Sequence, residues 1–325
     1  MRDLTFTAAA REGLAEEMER DATVFVVGEG IGERGGNWAT TVGLYERFGP
    51  WRLRDTPISE RGFTGMCTGA ALAGARPIVD FMFIDFLLDA WGEIINQMAK
   101  MQYMSSGRLK MPIVLRGAIG VGHASATHHS GSYYSMLGHV PGLKVVIPTN
   151  PRDAKGLIKT AIRSDDPVFF LEHKSVFGVK GPVPDEEYLI PFGEAAVVRA
   201  GSDATVVALG WMVHQTLAAC AELEKDGISV EVIDPRTILP LDIDTILHSV
   251  HKTGRLLIVD EDYSFFGVGA EIAAQVVACA FDDLDAPVQR LNGAFAPVPY
   301  SPPLEAAMVP NPHTIAQAIR DLLAE

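Results

Sequence analysis

The sequence contains few cysteines and no run of basic residues. Its three cysteines, Cys67, Cys220 and Cys279, are far apart and show no C-x-x-C spacing. That pattern argues against a disulfide framework or a structural zinc site. The chain has 27 Lys and Arg residues against 41 Asp and Glu residues, a formal net charge of −14. An acidic chain without a basic cluster does not favour nucleic acid or an anionic membrane as its partner.

Long apolar runs are also missing. The longest apolar stretch, Pro77–Trp91, contains three aspartates. Burying these charges in a bilayer would have a high free-energy cost, so the stretch is not expected to span a membrane. The N-terminus begins Met1-Arg2-Asp3 and lacks the apolar core of a signal peptide. We therefore expect a cytoplasmic protein with no membrane partner. The 325 residues, 48% of them hydrophobic, suffice for a large core and suggest two domains.

Short apolar runs alternate with segments of helical period along the chain. The apolar runs predict buried strands at Val24–Gly28, Arg76–Phe83, Pro112–Gly117, Lys144–Pro148, Val168–Leu171, Ala204–Leu209, Ser229–Ile233 and Arg255–Val259. Helices are predicted near 5–20, 60–74, 85–104, 151–163, 212–226, 242–252, 267–281 and 313–324. This alternation is typical of an α/β protein with mainly parallel sheets flanked by helices.

A segment rich in Pro and Gly interrupts this alternation near Gly178–Pro191. We therefore predict a first domain over 1–180, a linker over 181–192 and a second domain over 193–325. Each domain is expected to contain its own mainly parallel sheet.

The carboxyl end of the first strand is the first place where chemistry is expected, because open α/β sheets bind ligands there. Gly30, Gly32 and Gly35 match G-x-G-x-x-G, a weak dinucleotide signal that leaves a nicotinamide or flavin oxidoreductase as an alternative. Glu29 leaves an apolar strand into this turn. Partial burial there would favour the neutral form of its carboxyl group.

A second candidate is the polar loop after the strand Pro112–Gly117, which contains three histidines, His128 and His129 among them. No acidic residue lies at ligand spacing, so no metal site is predicted. Proton transfer by one of these imidazoles is the more plausible chemistry.

Several motifs occur in an order that resembles a known family. They are VVGEG around Glu29, DTPISE at 55–60, FMFIDF at 81–86, His129-Ser130, GHVPGLKVV at 138–146, DAKGLIKTAIR at 153–163, EVIDPRTILPLD at 231–242, KTGRLLIVDE at 252–261 and FGVGAEI at 266–272. Together they resemble the β subunits of thiamine-diphosphate-dependent 2-oxo acid and acetoin dehydrogenase components. The resemblance covers essentially the whole chain and implies a pyrimidine-binding transketolase-like domain followed by a transketolase C-terminal-like domain.

The resemblance also implies roles for individual residues. Glu29 matches the family glutamate that hydrogen-bonds the pyrimidine ring of the cofactor. Val27, Met82 and Phe86 match positions that line the pyrimidine pocket. His129 matches the histidine that manages protons during reaction with the lipoyl acceptor or the substrate. The neighbouring His128 departs from the family pattern and leaves open which of the two imidazoles acts.

One family element is missing, because no Gly-Asp-Gly occurs anywhere in the chain. In the family, a Gly-Asp-Gly…Asn element holds magnesium and the diphosphate. The resemblance therefore implies an α subunit that supplies this half-site and most of the magnesium ligation in an α2β2 heterotetramer. It further implies a lipoyl acyltransferase core as partner and a 2-oxo acid such as pyruvate, or acetoin, as substrate. A β-like subunit retained only for assembly is a further alternative, which the presence of Glu29 and His129 argues against.

Overall fold

The computed structural model describes all 325 residues, which fold as two compact units. The first unit comprises Met1–Ile119 and Met136–Phe192, and the second comprises Gly120–Ser135 and Gly193–Glu325. The segment Gly120–Ser135 therefore belongs with the C-terminal part of the chain. The predicted domains, 1–180 and 193–325, and the linker, 181–192, stay a prediction, because compactness alone does not define a domain boundary.

The first unit contains eight strands and six helices. Its strands are β1 (Arg2–Thr5), β2 (Val24–Gly28), β3 (Leu53–Asp55), β4 (Arg76–Phe83), β5 (Val114–Ile119), β6 (Lys144–Val146), β7 (Val168–His173) and β8 (Lys180–Val183). Its helices are α1 (Phe6–Arg20), α2 (Leu44–Phe48), α3 (Glu60–Leu72), α4 (Met101–Met104), α5 (Tyr134–Gly138, which begins in the second unit) and α6 (Pro151–Arg163).

Six of these strands form one parallel sheet in the order β6-β7-β5-β4-β2-β3. Strands β1 and β8 form a separate antiparallel pair. Helices α1 and α6 pack together on one face of the large sheet. Their apolar side chains, among them Leu14, Met18, Leu157 and Ile162, form one core with strand residues such as Val26. On α3, Phe63 packs against Phe81 of β4, with ring centroids 5.9 Å apart.

Side-chain caps explain where the main helices begin. The Thr5 hydroxyl accepts a hydrogen bond from the backbone N–H of Ala8 at the start of α1. The Asn150 side chain accepts from the N–H of Asp153, and Pro151 is the first residue of α6. A cap followed by proline satisfies an exposed donor and presets the backbone dihedral. The predicted bounds of α6, 151–163, are confirmed.

The predicted helix over 85–104 is wrong as one continuous element. The chain instead forms a 3₁₀ helix over Ile84–Ala90, a π-helical segment over Gly92–Met98 and the short α4. An apolar periodicity indicates a helical face but does not determine the hydrogen-bond step, so it could not separate these three forms.

The second unit repeats the α/β plan. Its strands are β9 (Ala196–Arg199), β10 (Ala204–Ala208), β11 (Val230–Asp234), β12 (Thr237–Leu239), β13 (Leu256–Tyr263) and β14 (Gln289–Gly293). Its further helices are α7 (Met212–Leu223), α8 (Ile243–Thr253), α9 (Val268–Ala280), α10 (Pro302–Ala306) and α11 (Pro312–Ala324).

Five of these strands pair in the order β14-β13-β10-β11-β9, and only β9 runs antiparallel to its neighbour. Helices α7 and α11 cover one face through a core that includes Val206, Val232, Ala219 and Ile319. The other face carries α8, where Thr205 of β10 shares hydrogen bonds with two hydroxyls of the helix. The predicted fold class, two mainly parallel sheets flanked by helices, is confirmed.

All eight predicted strands are present, and Val24–Gly28 and Arg76–Phe83 have the predicted bounds. The strand predicted at Pro112–Gly117 instead runs from Val114 to Ile119. Six strands that were not predicted, β1, β3, β8, β9, β12 and β14, have only three to five residues. Runs this short carry little periodic signal. No helix combines the length and apolar composition required to cross a membrane.

Truncating the core of the first unit should destabilise it measurably. Leu14 is fully buried between α1 and the sheet. We expect Leu14→Ala to lower the free energy of unfolding by about 2–5 kcal/mol, because it removes buried methyl groups and leaves a cavity. Urea unfolding measures this difference. The matched control is Leu189→Ala, at a leucine that is 43% exposed, which should change stability by less than about 0.5 kcal/mol.

Candidate functional site

The carboxyl ends of β2, β3 and β4 meet at one edge of the first sheet. In this register Gly28 lies beside Asp55 on one side and Asp80 on the other. A Cβ at Gly28 would lie 2.4 Å from the backbone oxygen of Asp80, so only glycine permits this close approach. Val27 is fully buried just before it. Glu29 therefore leaves the sheet where three strand ends converge.

The glycine-rich turn after Glu29 does not form a dinucleotide site. Its Gly32 N–H donates to Asp55 Oδ1 at 3.0 Å, so the Asp55 carboxylate holds the turn. A dinucleotide fingerprint opens directly into a helix whose N-terminus receives the pyrophosphate. Here the next helix is α2, which begins only at Leu44 and has five residues. The nicotinamide or flavin alternative therefore lacks its binding element.

The Glu29 carboxyl lies in an environment that favours its neutral form. Burial raises the pKa of Glu29, and the nearby negative charge of Glu60 raises it further. Glu60 is itself buried, at the first position of α3. Its negative charge therefore opposes ionisation of the Glu29 carboxyl, in addition to the larger effect of burial.

Sequence reasoning did not single out Glu60 as a functional residue. A signal was present, because Glu60 closes the DTPISE motif at 55–60 that contributed to the family resemblance. What could not be read from the sequence is that α3 begins beside the end of β2. This arrangement brings the charge of Glu60 close enough to act on Glu29.

Met82 lies at the same sheet edge, and its backbone has a conformation that residues with a side chain rarely adopt. Its φ is 63°, a left-handed value that costs about 1–3 kcal/mol and persists only where the surroundings enforce it. The Met82 N–H donates to Asp80 Oδ1 at 2.9 Å. Thr40 Oγ1 donates to the other Asp80 oxygen at 3.3 Å. Asp80 thus holds the turn that presents Met82.

A buried ion pair supports Asp80 from the next strands. Arg116 of β5 is 1% exposed and donates through Nε and Nη2 to Glu172 of β7, at 2.9 and 2.7 Å. Its Nε also lies 4.0 Å from Asp80 Oδ2. A planar guanidinium that faces two carboxylates fixes their relative positions. The end of β4 that presents Met82 is therefore linked through Arg116 to β5 and β7.

Phe86 follows β4 in the 3₁₀ helix Ile84–Ala90 and is half-buried. Met82 belongs to β4 itself. Although the two residues are four apart in the sequence, they do not share one α-helical face. They are brought to the same part of the fold by the carboxyl end of β4.

His129 belongs to the second unit, whereas Val27, Glu29, Met82 and Phe86 belong to the first. It lies in a 3₁₀ turn, Thr127–His129, and is half-buried, whereas His128 is exposed. Burial thus distinguishes the two imidazoles that the sequence left open. The Ser130 hydroxyl donates to the carbonyl of Ala126 at 2.7 Å and closes the turn around His129.

Comparisons with known proteins agree with this architecture. Residues 2–179 match the family described as the transketolase pyrimidine binding domain, and residues 193–315 match the transketolase C-terminal domain. A split-gene transketolase, solved as an inactive β4 tetramer, has a TM-score of 0.80 at 20% sequence identity over 99% of this chain and 98% of its own. At that identity the likeness is evidence for the fold alone.

Curated relatives are similar over almost their whole length. The pyruvate dehydrogenase E1 component subunit beta of Rickettsia felis is 47% identical, covering 98% of this chain and 97% of the relative. The acetoin:2,6-dichlorophenolindophenol oxidoreductase subunit beta of Cupriavidus necator is 44% identical with the same coverage. The 2-oxoisovalerate dehydrogenase subunit beta of Bacillus subtilis is 43% identical, covering 98% of each chain.

Neutralising Glu60 should lower the pKa of Glu29. The negative charge of Glu60 opposes ionisation of Glu29, so Glu60→Gln removes that part of the rise and leaves the part due to burial. Carbon-13 NMR of labelled glutamate carboxyl groups, with Glu29→Gln used to assign the signal, measures this titration. Glu33→Gln, at an exposed position of the same loop, is the control and should leave the pKa of Glu29 unchanged. A Glu29 titration that does not move in Glu60→Gln would contradict the assigned coupling.

Proposed function

The chain belongs to the family of β subunits of thiamine-diphosphate-dependent 2-oxo acid and acetoin dehydrogenase components, and from this membership we propose that it supplies the aminopyrimidine half of a split active site. The reaction is the oxidative decarboxylation of short 2-oxo acids such as pyruvate, with acyl transfer to a lipoyl group, or the cleavage of acetoin. The observation that carries the proposal is the Glu29 carboxyl, partly buried and with a raised pKa, at the end of β2.

The residues at this edge fit an aminopyrimidine. A carboxyl group whose neutral form is favoured can share a proton with a ring nitrogen. Met82 offers a polarisable thioether and Phe86 an aromatic face, which suit a flat heteroaromatic ring. When bound, thiamine diphosphate supplies an electron sink for cleavage of the carbon–carbon bond beside a carbonyl.

Glu29 is proposed to share a proton with the pyrimidine ring. Burial and the negative charge of Glu60 raise the pKa of Glu29 and so favour its protonated form. Val27 contributes backbone beside Glu29, and Asp80 positions Met82 through its hydrogen bond to the Met82 N–H. His129 is proposed to move protons during reaction with the acceptor. Its partial burial, compared with the exposed His128, supports the choice between the two.

The diphosphate half is proposed to come from the α subunit. Membership of the family implies an α partner. The chain itself has no Gly-Asp-Gly, the element that would ligate magnesium beside the diphosphate. We therefore propose an α2β2 assembly, in which α provides the Gly-Asp-Gly…Asn element and most magnesium ligands, and which docks on a lipoyl acyltransferase core.

The split site predicts that activity requires both subunits. We expect no reduction of an artificial electron acceptor by this chain alone, and thiamine-diphosphate- and magnesium-dependent reduction when it is co-expressed with a matching α subunit. Pyruvate, branched-chain 2-oxo acids and acetoin should be offered in parallel, and the preferred one identifies the substrate. Turnover by the chain alone would contradict a diphosphate site supplied by α.

Removing either carboxyl group of the pair should slow turnover without unfolding the protein. Glu29→Gln preserves shape but removes the carboxyl proton, so it should lower kcat of the assembled enzyme by about 10²–10⁴-fold. Glu60→Gln removes only the charge that helps to raise the pKa of Glu29, so it should cause a smaller loss. Unchanged thermal unfolding excludes a folding defect, and Glu33→Gln should retain full activity. If Glu29→Gln turned over at the rate of the unsubstituted enzyme, the role of Glu29 would be refuted and an assembly subunit would be favoured.

A further inference from the structure

The segment Gly120–Ser135, here called the His loop, has a strained backbone. Four of its non-glycine residues have left-handed φ values: His123 at 64°, Ala124 at 50°, Ala126 at 60° and Tyr133 at 53°. A left-handed backbone is unfavourable for residues with a side chain and persists only where surrounding contacts enforce it. The His loop must therefore be held by specific contacts, and His129 lies within it.

Glu305 provides two of these contacts. It lies in α10 and is 6% exposed. Its two carboxylate oxygens accept from the backbone N–H groups of Gly122, at 3.1 Å, and Ala124, at 3.0 Å. Those donors flank the left-handed His123. A single carboxylate thus fixes one strained part of the backbone through two charge-assisted hydrogen bonds.

Glu261 holds both ends of the same loop. It lies in β13 and is also 6% exposed. Its Oε1 accepts from the N–H of Val121 at 3.3 Å and from the hydroxyl of Ser132 at 3.2 Å. The adjacent Asp262 accepts from Ser135 Oγ at 3.2 Å. Carboxylates of the second unit therefore contact the His loop before and after its histidine turn.

The histidine turn also contacts the segment that precedes α10. Thr127 Oγ1 donates to the backbone oxygen of Val298 at 2.9 Å. Val298 precedes α10 by four residues, so the contact of Thr127 and the contacts of Glu305 come from neighbouring parts of the chain. The segment around α10 therefore holds the His loop at two places.

We propose that Glu305 is a positioning residue for His129. Glu305 holds the strained backbone of the His loop in the one conformation that presents the His129 imidazole to the acyl acceptor. This inference rests on the proposed function of His129. Glu305 touches neither substrate nor cofactor in this scheme. Its carboxylate enforces the left-handed backbone at 122–124. Glu261 stabilises the two ends of the loop through its hydrogen bonds with Val121 and Ser132.

The two half-reactions of the enzyme separate this role from a general effect on folding. Transfer of the acyl group to lipoamide requires a positioned His129 in the proposed function. Reduction of 2,6-dichlorophenolindophenol by the same assembled enzyme reports the earlier steps without lipoyl transfer. A residue that only stabilises the fold would impair both reactions together.

The experiment compares Glu305→Ala, Glu305→Gln, His129→Ala and the double variant Glu305→Ala with His129→Ala, each in the assembled α–β enzyme. We expect Glu305→Ala to lower kcat for lipoamide by about 10–100-fold, the loss typical of a misplaced catalytic group. Dye reduction should stay within about twofold. Glu305→Gln should lie between, because its amide oxygen can still accept one N–H. The double variant should match His129→Ala, since coupled residues are non-additive.

Hydrogen exchange and a control variant complete the test. The backbone amides of Gly122 and Ala124 should exchange faster in Glu305→Ala, because the hydrogen bonds that protect them are lost. Glu271→Ala, an exposed glutamate of α9 that contacts Gln275, should change neither reaction nor this exchange.

Three outcomes would overturn the proposal. Equal loss in both reactions would show that Glu305 only supports the fold. Multiplicative losses in the double variant would show that Glu305 acts independently of His129. Unchanged lipoamide transfer in His129→Ala would refute the role of His129 itself. In that case faster exchange of the Gly122 and Ala124 amides in Glu305→Ala would show that Glu305 does hold the loop, and that the failure lies in the proposed function of His129.

Discussion

The close parallel pairing of β2 and β4 at Gly28 is the constraint on which the candidate site depends. No side chain larger than hydrogen fits there, because a Cβ would meet the backbone oxygen of Asp80 at 2.4 Å. The approach sets Glu29 beside the end of β4, where Asp80 turns the chain and presents Met82. Arg116 then links Asp80 to Glu172 two strands away. The site edge is thus continuous with the most buried ionic group of the sheet.

The two units position their candidate residues by different structural means. The first uses strand ends, where the parallel register brings backbone and carboxyl groups to one edge. The second uses a loop that is strained and held by buried carboxylates, Glu261 and Glu305.

Much of the fold was accessible from local sequence signals. The strands Val24–Gly28 and Arg76–Phe83 were predicted with their bounds because continuous β-branched and apolar runs leave few alternatives. Helix α6 was predicted because Asn150 and Pro151 are a strong start signal. The segment 85–104 failed because periodicity does not distinguish α, 3₁₀ and π steps. Glu60 was overlooked because its influence on Glu29 arises only when α3 is placed beside β2.

The sequence by itself determined the α/β class, the ordered motifs of the family and the identity of the candidate residues Val27, Glu29, Met82, Phe86 and His129. It also showed that no Gly-Asp-Gly is present, which points to a second polypeptide. Only the tertiary structure decided that the charge of Glu60 acts on the Glu29 carboxyl, and that the His loop belongs with the second unit. The physical reason is that burial, electrostatic coupling and backbone strain depend on groups far apart in the chain, whereas periodicity and caps depend on neighbours within a few residues.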